Sequence, residues 1–249
     1  MFVAASSRCF PALPLDAAMR QLVDLEFSCV EIAIHETEGH LRPSAVSLDF
    51  DRALQAVRET HRLTPVAFSV DIQAPEDQYY RQFAACCKLA KATKVVTITV
   101  RAAELGTPFN AEVERLRLMT GIASVEGVRV GLLTEVGRMT EEPSTAAVIC
   151  DSVKGLGITL DPSHYVFGPR AGVNYDNLYR YVYHVRLRDT SRDQLQVRVG
   201  QGEVEYGRLI AQLARFQYNR ALCIEMLPMP DADQLAELRK MRLLLESLL

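Results

Sequence analysis

The stretch Gly157-Ile158-Thr159-Leu160-Asp161-Pro162-Ser163-His164 decides the fold, because a short apolar strand ends there in groups that carry chemistry. A carboxylate and a proline follow the last aliphatic residue, and a histidine comes three residues after the carboxylate. Parallel α/β sheets and barrels place their active groups just past the carboxyl ends of their strands. The same residues also fit an ordinary strand exit in which Asp161 caps a turn, so the choice depends on the other strands.

Short β-branched runs alternate along the chain with longer segments of helical pattern. Strands are predicted at residues 2–6, 29–34, 65–72, 95–100, 128–135, 157–161, 183–189 and 221–226. Helices are predicted at residues 15–27, 49–63, 75–92, 110–125, from 140 onward, at 203–216 and at 231–248, and a weaker one at 172–182, where Asn and Tyr are poor helix formers. Eight such units without a linker predict a single α/β domain over residues 1–249, a (β/α)8 TIM barrel. A doubly wound open sheet is disfavoured, since no Gly-x-Gly-x-x-Gly loop follows the first strand, and no nucleotide cofactor is expected.

Within most predicted strands, one face is aliphatic and the other is small or polar. In the third strand, Val66, Phe68 and Val70 share the aliphatic face, and in the second strand Glu31 lies on the polar one. Since side chains alternate between the two faces of a strand, the aliphatic faces are expected to meet the helices. The polar faces are expected to point into the barrel, where unpaired charges are costly.

Composition excludes several function classes. The 249 residues carry a net charge of −3, with 49% hydrophobic and 24% charged residues, which implies no general attraction to nucleic acid or to an anionic membrane. No segment approaches the ~18 apolar residues of a membrane span, and the N-terminus has no basic region before its apolar run. A cytoplasmic location is therefore predicted. The six cysteines form no Cys-x-x-Cys pair and are expected to be reduced and buried.

Ionisable and polar groups gather near the predicted carboxyl ends of the strands. They are Ser6, Arg8, Glu31, His35, Asp71, Arg101, Glu135, Asp161, His164, His184, Arg186, Arg188 and Glu225. Each of these residues alone is weak evidence for a functional site, because a lone acidic residue at a strand end is usually solvated. The carboxylates of Glu135, Asp161 and Glu225 are harder to dismiss together, since like charges that converge on one barrel mouth repel each other unless a cation lies between them.

These motifs resemble the xylose-isomerase-like TIM barrels, the sugar phosphate isomerase/epimerase superfamily. The resemblance covers the whole chain in strand order. It rests on Leu133-Thr134-Glu135, Leu160-Asp161-Pro162-Ser163-His164, His184-Val185-Arg186-Leu187-Arg188-Asp189, Gly200-Gln201-Gly202-Glu203-Val204-Glu205 and Ile224-Glu225.

The resemblance implies a divalent metal held at positions that match Glu135, Asp161, Arg186 and Glu225. It also implies that Glu135 and Glu225 act as acid and base, that His164 touches a substrate oxygen, and that Arg192 helps to hold the substrate. Arg186, His184, Glu31 and Arg8 complete the expected substrate-binding set.

The chain departs from the family at one metal ligand. The seventh strand of the family usually reads His-x-His-Leu-Lys-Asp, whereas the second histidine is Arg186 here, and a guanidinium cannot ligate a metal. Two alternatives remain open. Glu135, Asp161 and Glu225 hold Mn2+, Mg2+ or Zn2+ together with water, or Arg186 occupies the cation's place and forms a short pair with one of these carboxylates.

The expected function is a sugar, sugar-phosphate or keto-acid isomerase or epimerase that transfers a proton through an enediolate. The main alternative is an inactive binding protein in which Arg186 and Arg188 only plug the barrel. A DNA repair enzyme like endonuclease IV is disfavoured, because its zinc site needs more histidines than the five present. The expected partner is a small sugar-like molecule, and a homo-oligomer is compatible with the sequence. Residues 190–202 are expected to form a hairpin or flap beside the site.

Overall fold

Eight parallel strands close into a barrel in the computed structural model, which describes residues 1–249. The strands follow one another around the barrel in chain order, and β1 pairs with both β2 and β8. Their bounds are β1 Phe2–Ser6, β2 Cys29–His35, β3 Thr64–Asp71, β4 Thr97–Arg101, β5 Arg129–Leu133, β6 Leu156–Leu160, β7 Val182–Leu187 and β8 Ala221–Ile224. The predicted (β/α)8 barrel is confirmed.

Helices cover the outside of the barrel. They are α1 Leu15–Asp24, α2 Pro43–Leu48, α3 Phe50–Arg58, α4 Glu76–Ala92, α5 Phe109–Val125, α6 Pro143–Ser152, α7 Ser163–Val166, α8 Tyr206–Arg215 and α9 Gln234–Glu246. None of them is long and apolar enough to cross a membrane. All six cysteines are free and five are buried, as expected from their apolar surroundings.

The prediction of a helix at residues 172–182 is wrong. A short 3-10 helix, Asp176–Tyr181, takes its place and connects the sixth unit to β7. Its poor helix formers do not sustain an α-helix, and side-chain packing holds the segment instead. Leu178 and Tyr179 are buried, and the ring of Tyr179 stacks on that of Phe216 at 6.1 Å between centroids.

The main hydrophobic core lies between the strands and the helices, as the alternation predicts. Ile32, Phe68 and Ile158 belong to this core of 61 buried residues. Val66 is an exception to the prediction, because it packs inside the barrel beside Ala4. The pairing of β2 with β3 shifts register next to this residue, and such a bulge turns one side chain to the other face of its strand.

Polar contacts between neighbouring strand ends position the groups at the mouth. The hydroxyl of Thr134 accepts a hydrogen bond from the backbone N–H of Asp161 at 2.8 Å and donates to its carbonyl oxygen at 3.1 Å. The four strands β5 to β8 end one or two residues earlier than predicted. Consequently Glu135 lies two residues beyond β5, and Asp161 and Glu225 come directly after β6 and β8.

We predict that Gly131→Ala destabilises the barrel interior by about 1–3 kcal/mol. A Cβ at Gly131 would lie 2.4 Å from the hydroxyl of Thr159, which is itself 2.8 Å from the hydroxyl of Thr99. The hydroxyl cannot retreat without breaking that bond. Gly121→Ala is the matched control, since no atom lies within 4 Å of its added Cβ in α5. This control should stabilise the chain by about 0.5–1 kcal/mol. Urea unfolding of both variants measures the two effects, and equal effects would contradict the close packing at Gly131.

Candidate active site

A cavity of about 360 Å³ opens at the carboxyl ends of the strands. Its walls are mostly polar and bring together groups from all parts of the chain. The charged and imidazole groups that line it are Arg8, His35, Glu38, Asp71, Arg101, Glu135, His164, Arg186, Arg188 and Glu225. Of the predicted site residues, Arg8, Glu135, His164, Arg186 and Glu225 therefore meet at one mouth, and Asp161 is buried behind Arg188 of the cavity wall. The size of the cavity suits a small ligand.

Glu225 is surrounded by three guanidinium groups. Its carboxylate accepts a hydrogen bond from Arg8 Nη1 at 3.0 Å and lies 3.4 Å from Arg186 Nε and 3.7 Å from Arg188 Nη2. Burial by itself would raise the pKa of Glu225, but Arg186, Arg8 and Arg188 together outweigh it and lower the pKa to about 2. Glu225 is therefore a stable anion at neutral pH and a weak base.

Asp161 forms a close ion pair with Arg188. Arg188 Nη2 donates to its Oδ2 at 2.7 Å, and the backbone N–H of Ser163 donates to its Oδ1 at 3.0 Å. The side chain is fully buried. Burial would raise the pKa of Asp161, yet the Coulombic attraction of Arg188 and the hydrogen bond from Ser163 hold it below its usual range.

Deeper in the barrel, Glu31 takes the other side of Arg186. Arg186 Nη2 lies 3.0 Å from Glu31 Oε1, and His184 Nε2 lies 2.8 Å from Glu31 Oε2. Arg186 thus pairs most closely with Glu31, which sequence reasoning did not propose as its partner, and more loosely with Glu225. We call the connected set the arginine–carboxylate cluster: Arg8, Arg186, Arg188, Glu31, Asp161 and Glu225.

Glu135 lies outside this cluster. Its carboxylate forms a two-point pair with Arg101, whose Nε donates to Oε2 at 2.9 Å and whose Nη2 donates to Oε1 at 2.5 Å. The side chain of Glu135 is 17% exposed, compared with 0% for Asp161 and 2% for Glu225. Among the three predicted metal-binding carboxylates, Glu135 is the most exposed to a ligand in the cavity.

Two imidazoles in the cavity wall are held in the neutral form. The backbone N–H of Val136 donates to His164 Nδ1 at 3.2 Å, so the proton of the neutral ring resides on Nε2. Burial lowers the pKa of His164, although Asp161 opposes the shift. His35 lies with its Nε2 2.7 Å from the hydroxyl of Ser69, and burial together with Arg8 lowers its pKa to about 3.

The residues at the mouth do not fit a divalent metal. Hard cations need several oxygens at about 2.0–2.6 Å, but Glu135, Asp161 and Glu225 each already face a guanidinium. A second group of potential ligands lies deeper, where the donor atoms of Glu31, His184 and Cys223 fall within 4.8 Å of one another. Arg186 is paired with that glutamate as well.

The structure does not bring Arg192 to the cavity. Its side chain is 70% exposed and lies 3.4 Å from Glu203 over a separate surface pocket. Nor do residues 190–202 form the predicted hairpin, since they contain no strand. The carboxylate of Asp189 instead accepts hydrogen bonds from the backbone N–H groups of Gly200 and Gly202 at 2.7 and 3.0 Å. These side chain to backbone bonds replace a strand ladder.

The resulting loop does lie beside the mouth. Leu195 lines the cavity, and Gln196 exchanges two hydrogen bonds with the backbone of Leu227. A side chain at Gly202 would place its Cβ 2.1 Å from Asp189, so this turn depends on glycine.

Residues 19–244 match the family model described as xylose isomerase-like TIM barrel. The chain belongs to this family. No curated protein is similar enough in sequence to count as a match.

Several solved structures share the fold along nearly the full length of both chains. A xylose isomerase domain protein from Alicyclobacillus acidocaldarius has a TM-score of 0.78 at 16% identity and covers 100% of this chain and 98% of its own. A D-tagatose 3-epimerase-like protein has a TM-score of 0.74 at 17% identity, with 99% of each chain covered. A protein described as IOLI with a bound zinc atom has a TM-score of 0.75 at 15% identity, covering 100% and 98%. At these identities the likeness shows the fold.

Sequence reasoning missed some features of the site. The hydroxyl of Ser69 at the cavity wall was not singled out, although its inward position on β3 was the available signal. The pairing of Arg101 with Glu135 and of Arg188 with Asp161 was also not foreseen. Neither pair has a signature in sequence spacing, because its partners lie on different strands.

We predict that Glu225→Gln lowers the free energy of unfolding by about 3–5 kcal/mol at pH 7, because it removes one partner from a buried charge cluster. The pKa of Glu225 is depressed from 4.5 to about 2, so its stabilisation is present above pH 4.5 and is lost as the pH falls toward 2. The gap between wild type and variant should narrow by roughly 2 kcal/mol between pH 5 and pH 3.

Urea titrations at pH 7, 5 and 3 measure this gap. Glu114→Gln serves as the control, since Glu114 pairs with Arg117 on the surface and is 65% exposed. Its gap should stay small at every pH. A Glu225→Gln gap that stays constant from pH 7 to pH 3 would contradict the assigned charge pairing.

Proposed function

We propose that the chain is a sugar isomerase or epimerase that moves a proton next to a carbonyl through an enediolate. The single observation that carries this proposal is the placement of Glu135, a carboxylate that borders the cavity beside neutral His164 and several guanidinium groups. Membership in the xylose isomerase-like family and the fold shared with a D-tagatose 3-epimerase-like protein support it.

Glu135 is assigned the role of general base. It is hydrogen-bonded by Arg101, whose side chain is 40% exposed, and Arg138 Nε lies 4.0 Å away, whereas Glu225 is enclosed by three guanidinium groups and is almost fully buried. Arg101 fixes the direction of the carboxylate by the two-point contact. A substrate that enters the cavity would displace this partly exposed side chain to meet the base.

His164 is assigned the role of hydrogen-bond donor to the substrate's carbonyl oxygen. Its Nδ1 is occupied by the backbone N–H of Val136, which leaves Nε2–H as its donor. A neutral imidazole can polarise a carbonyl without adding a fixed positive charge, and it can give its Nε2 proton to the enediolate oxygen and take one back from the neighbouring hydroxyl. Arg186 and Arg188 line the same cavity and supply positive charge where the oxyanion develops.

Of the two glutamates expected to act as acid and base, only Glu135 is partly exposed, which favours a reaction on one face of the substrate. A proton that is removed and returned on the same face requires a single base, whereas inversion of a stereocentre requires groups on both faces. Glu225 was expected to be the second group, but its pKa of about 2 and its three guanidinium partners make it a poor proton acceptor. We therefore favour an aldose–ketose isomerisation over an epimerisation.

The competing candidate is a binding protein. It is favoured by the pairing of every carboxylate in the arginine–carboxylate cluster with a guanidinium, which leaves these groups stable without any chemistry. Both candidates bind a polar ligand in the same cavity, so binding alone does not separate them. Exchange of the substrate's C–H proton with solvent separates the enzyme from the binding protein.

The deciding experiment incubates the wild type in D2O with a panel of pentoses, hexoses and their phosphates. Proton NMR follows the C–H next to each carbonyl. We expect exchange of this proton for at least one substrate, and Glu135→Gln should slow it by about 10²- to 10⁴-fold, the usual share of a general base. Glu104→Gln is the control, because Glu104 is 79% exposed and does not line the cavity.

Saturation-transfer NMR on the same samples reports ligand binding. Binding by the wild type without exchange for any bound sugar would favour the binding protein. Equal exchange rates for the wild type and Glu135→Gln would show that another group is the base.

A further inference from the structure

We propose that the guanidinium groups of Arg186 and Arg188 take the place of a divalent cation in this chain, so that its barrel mouth is built to work without a metal. This neutralisation of the carboxylates does not depend on the proposed activity. Each of the two arginines places one nitrogen between two carboxylates.

Arg188 bridges two carboxylates with one nitrogen. Its Nη2 lies 2.7 Å from Oδ2 of Asp161 and 3.7 Å from Oε1 of Glu225. A metal ion held by the same two residues would also bridge them, because the carboxylates come from β6 and β8 on either side of β7. The guanidinium therefore offsets the repulsion between the two carboxylates, which would otherwise require a metal cation.

Arg186 makes a similar bridge one level deeper. Its Nε lies 3.4 Å from Oε2 of Glu225 and 3.4 Å from Oε2 of Glu31. The cluster then contains three guanidinium groups and three carboxylates, with Arg8 as the third cation at 3.0 Å from Glu225. Charges within it balance before any ion is added.

A divalent cation would upset this balance. It would have to enter beside two fixed positive charges, displace Arg188 from Asp161, and leave a buried guanidinium without its partner. Both arginines are nearly inaccessible, at 2% and 8% exposure, so neither can simply swing into solvent. Burial tends to lower the pKa of Arg186, but Glu225 and Glu31 raise it above its ordinary value, so the group stays charged.

Two substitutions should return the site to metal binding. Arg186→His supplies an imidazole between Glu225 and Glu31, and Arg188→Lys shortens the side chain that bridges Asp161 and Glu225. Together they give the His-x-His-Leu-Lys pattern over residues 184–188. Arg186→His alone should gain less, because Arg188 still bridges the two carboxylates.

The test uses purified full-length protein without substrate. Elemental analysis measures the metal content of the wild type, and thermal unfolding is recorded with EDTA and with added Mn2+. For the wild type we expect no stoichiometric metal and a Tm within about 1 °C under both conditions, since a ligand that does not bind the native state leaves its stability unchanged. For the double variant we expect Tm to rise by roughly 5–10 °C at a Mn2+ concentration about 100 times its Kd.

Arg117→His is the matched control. Arg117 lies 2.6 Å from Glu114 on the surface, so this variant also places a histidine beside a carboxylate. It should show no Mn2+-dependent shift, which separates a rebuilt site from weak surface binding.

Three results would overturn the inference. They are a wild type that copurifies with stoichiometric metal, a wild-type Tm that falls in EDTA, and a folded double variant that gains no stabilisation from Mn2+. If the double variant does not fold, the two wild-type measurements still decide whether the native mouth holds a metal. None of these readouts depends on enzymatic activity, so failure of the proposed isomerisation would be seen separately.

Discussion

The barrel mouth depends on buried carboxylates that guanidinium groups neutralise. Glu31, Asp161 and Glu225 are almost completely inaccessible to solvent; Asp161 and Glu225 directly follow β6 and β8, and Glu31 lies deeper, within β2. Isolated charges at that depth would cost several kcal/mol each. Arg186 and Arg188 from the region of β7 lie between them and make the arrangement stable. A buried ion pair is not in itself a source of stability, but removal of either partner is strongly destabilising.

This pairing determines which chemistry remains available. Carboxylates held by several buried arginines keep their negative charge and are poor proton acceptors, as the depressed pKa of Glu225 shows. Glu135 differs because it is itself partly exposed and because Arg101, which hydrogen-bonds it, is partly exposed as well. Glu225 and Glu135 both lie just beyond strand ends, yet their neighbours give them different abilities to accept a proton. The environment of each carboxylate, and not its residue type, assigns its role.

The loop after β7 connects the same strand to the rim of the cavity. Asp189 follows Arg188 directly, and its carboxylate organises the turn at Gly200 and Gly202. Leu195 on this loop forms part of the cavity wall, next to Leu227 after β8. One strand therefore supplies both the cations inside the barrel and the support for the segment that borders its opening.

The sequence by itself determined the barrel, the strand order and most of the residues at the mouth. Eight repeated units with one aliphatic face per strand leave few other ways to bury the apolar surface, and parallel strands bring their carboxyl ends to one side. It also identified Arg186 as the departure from the usual metal ligand. Only the tertiary structure decided the partners. Arg186 pairs most closely with Glu31, Arg188 with Asp161 and Arg101 with Glu135.

These pairings join side chains from different strands, so their geometry depends on barrel closure and on local register shifts. Two other features also depend on tertiary geometry. They are the bulge that turns Val66 inward and the Asp189 carboxylate that binds the loop backbone in place of a hairpin. Periodicity along a chain specifies which face a residue occupies. It does not specify the distance between groups brought together from separate strands, and that distance decides whether a charge meets a metal, a substrate or another side chain.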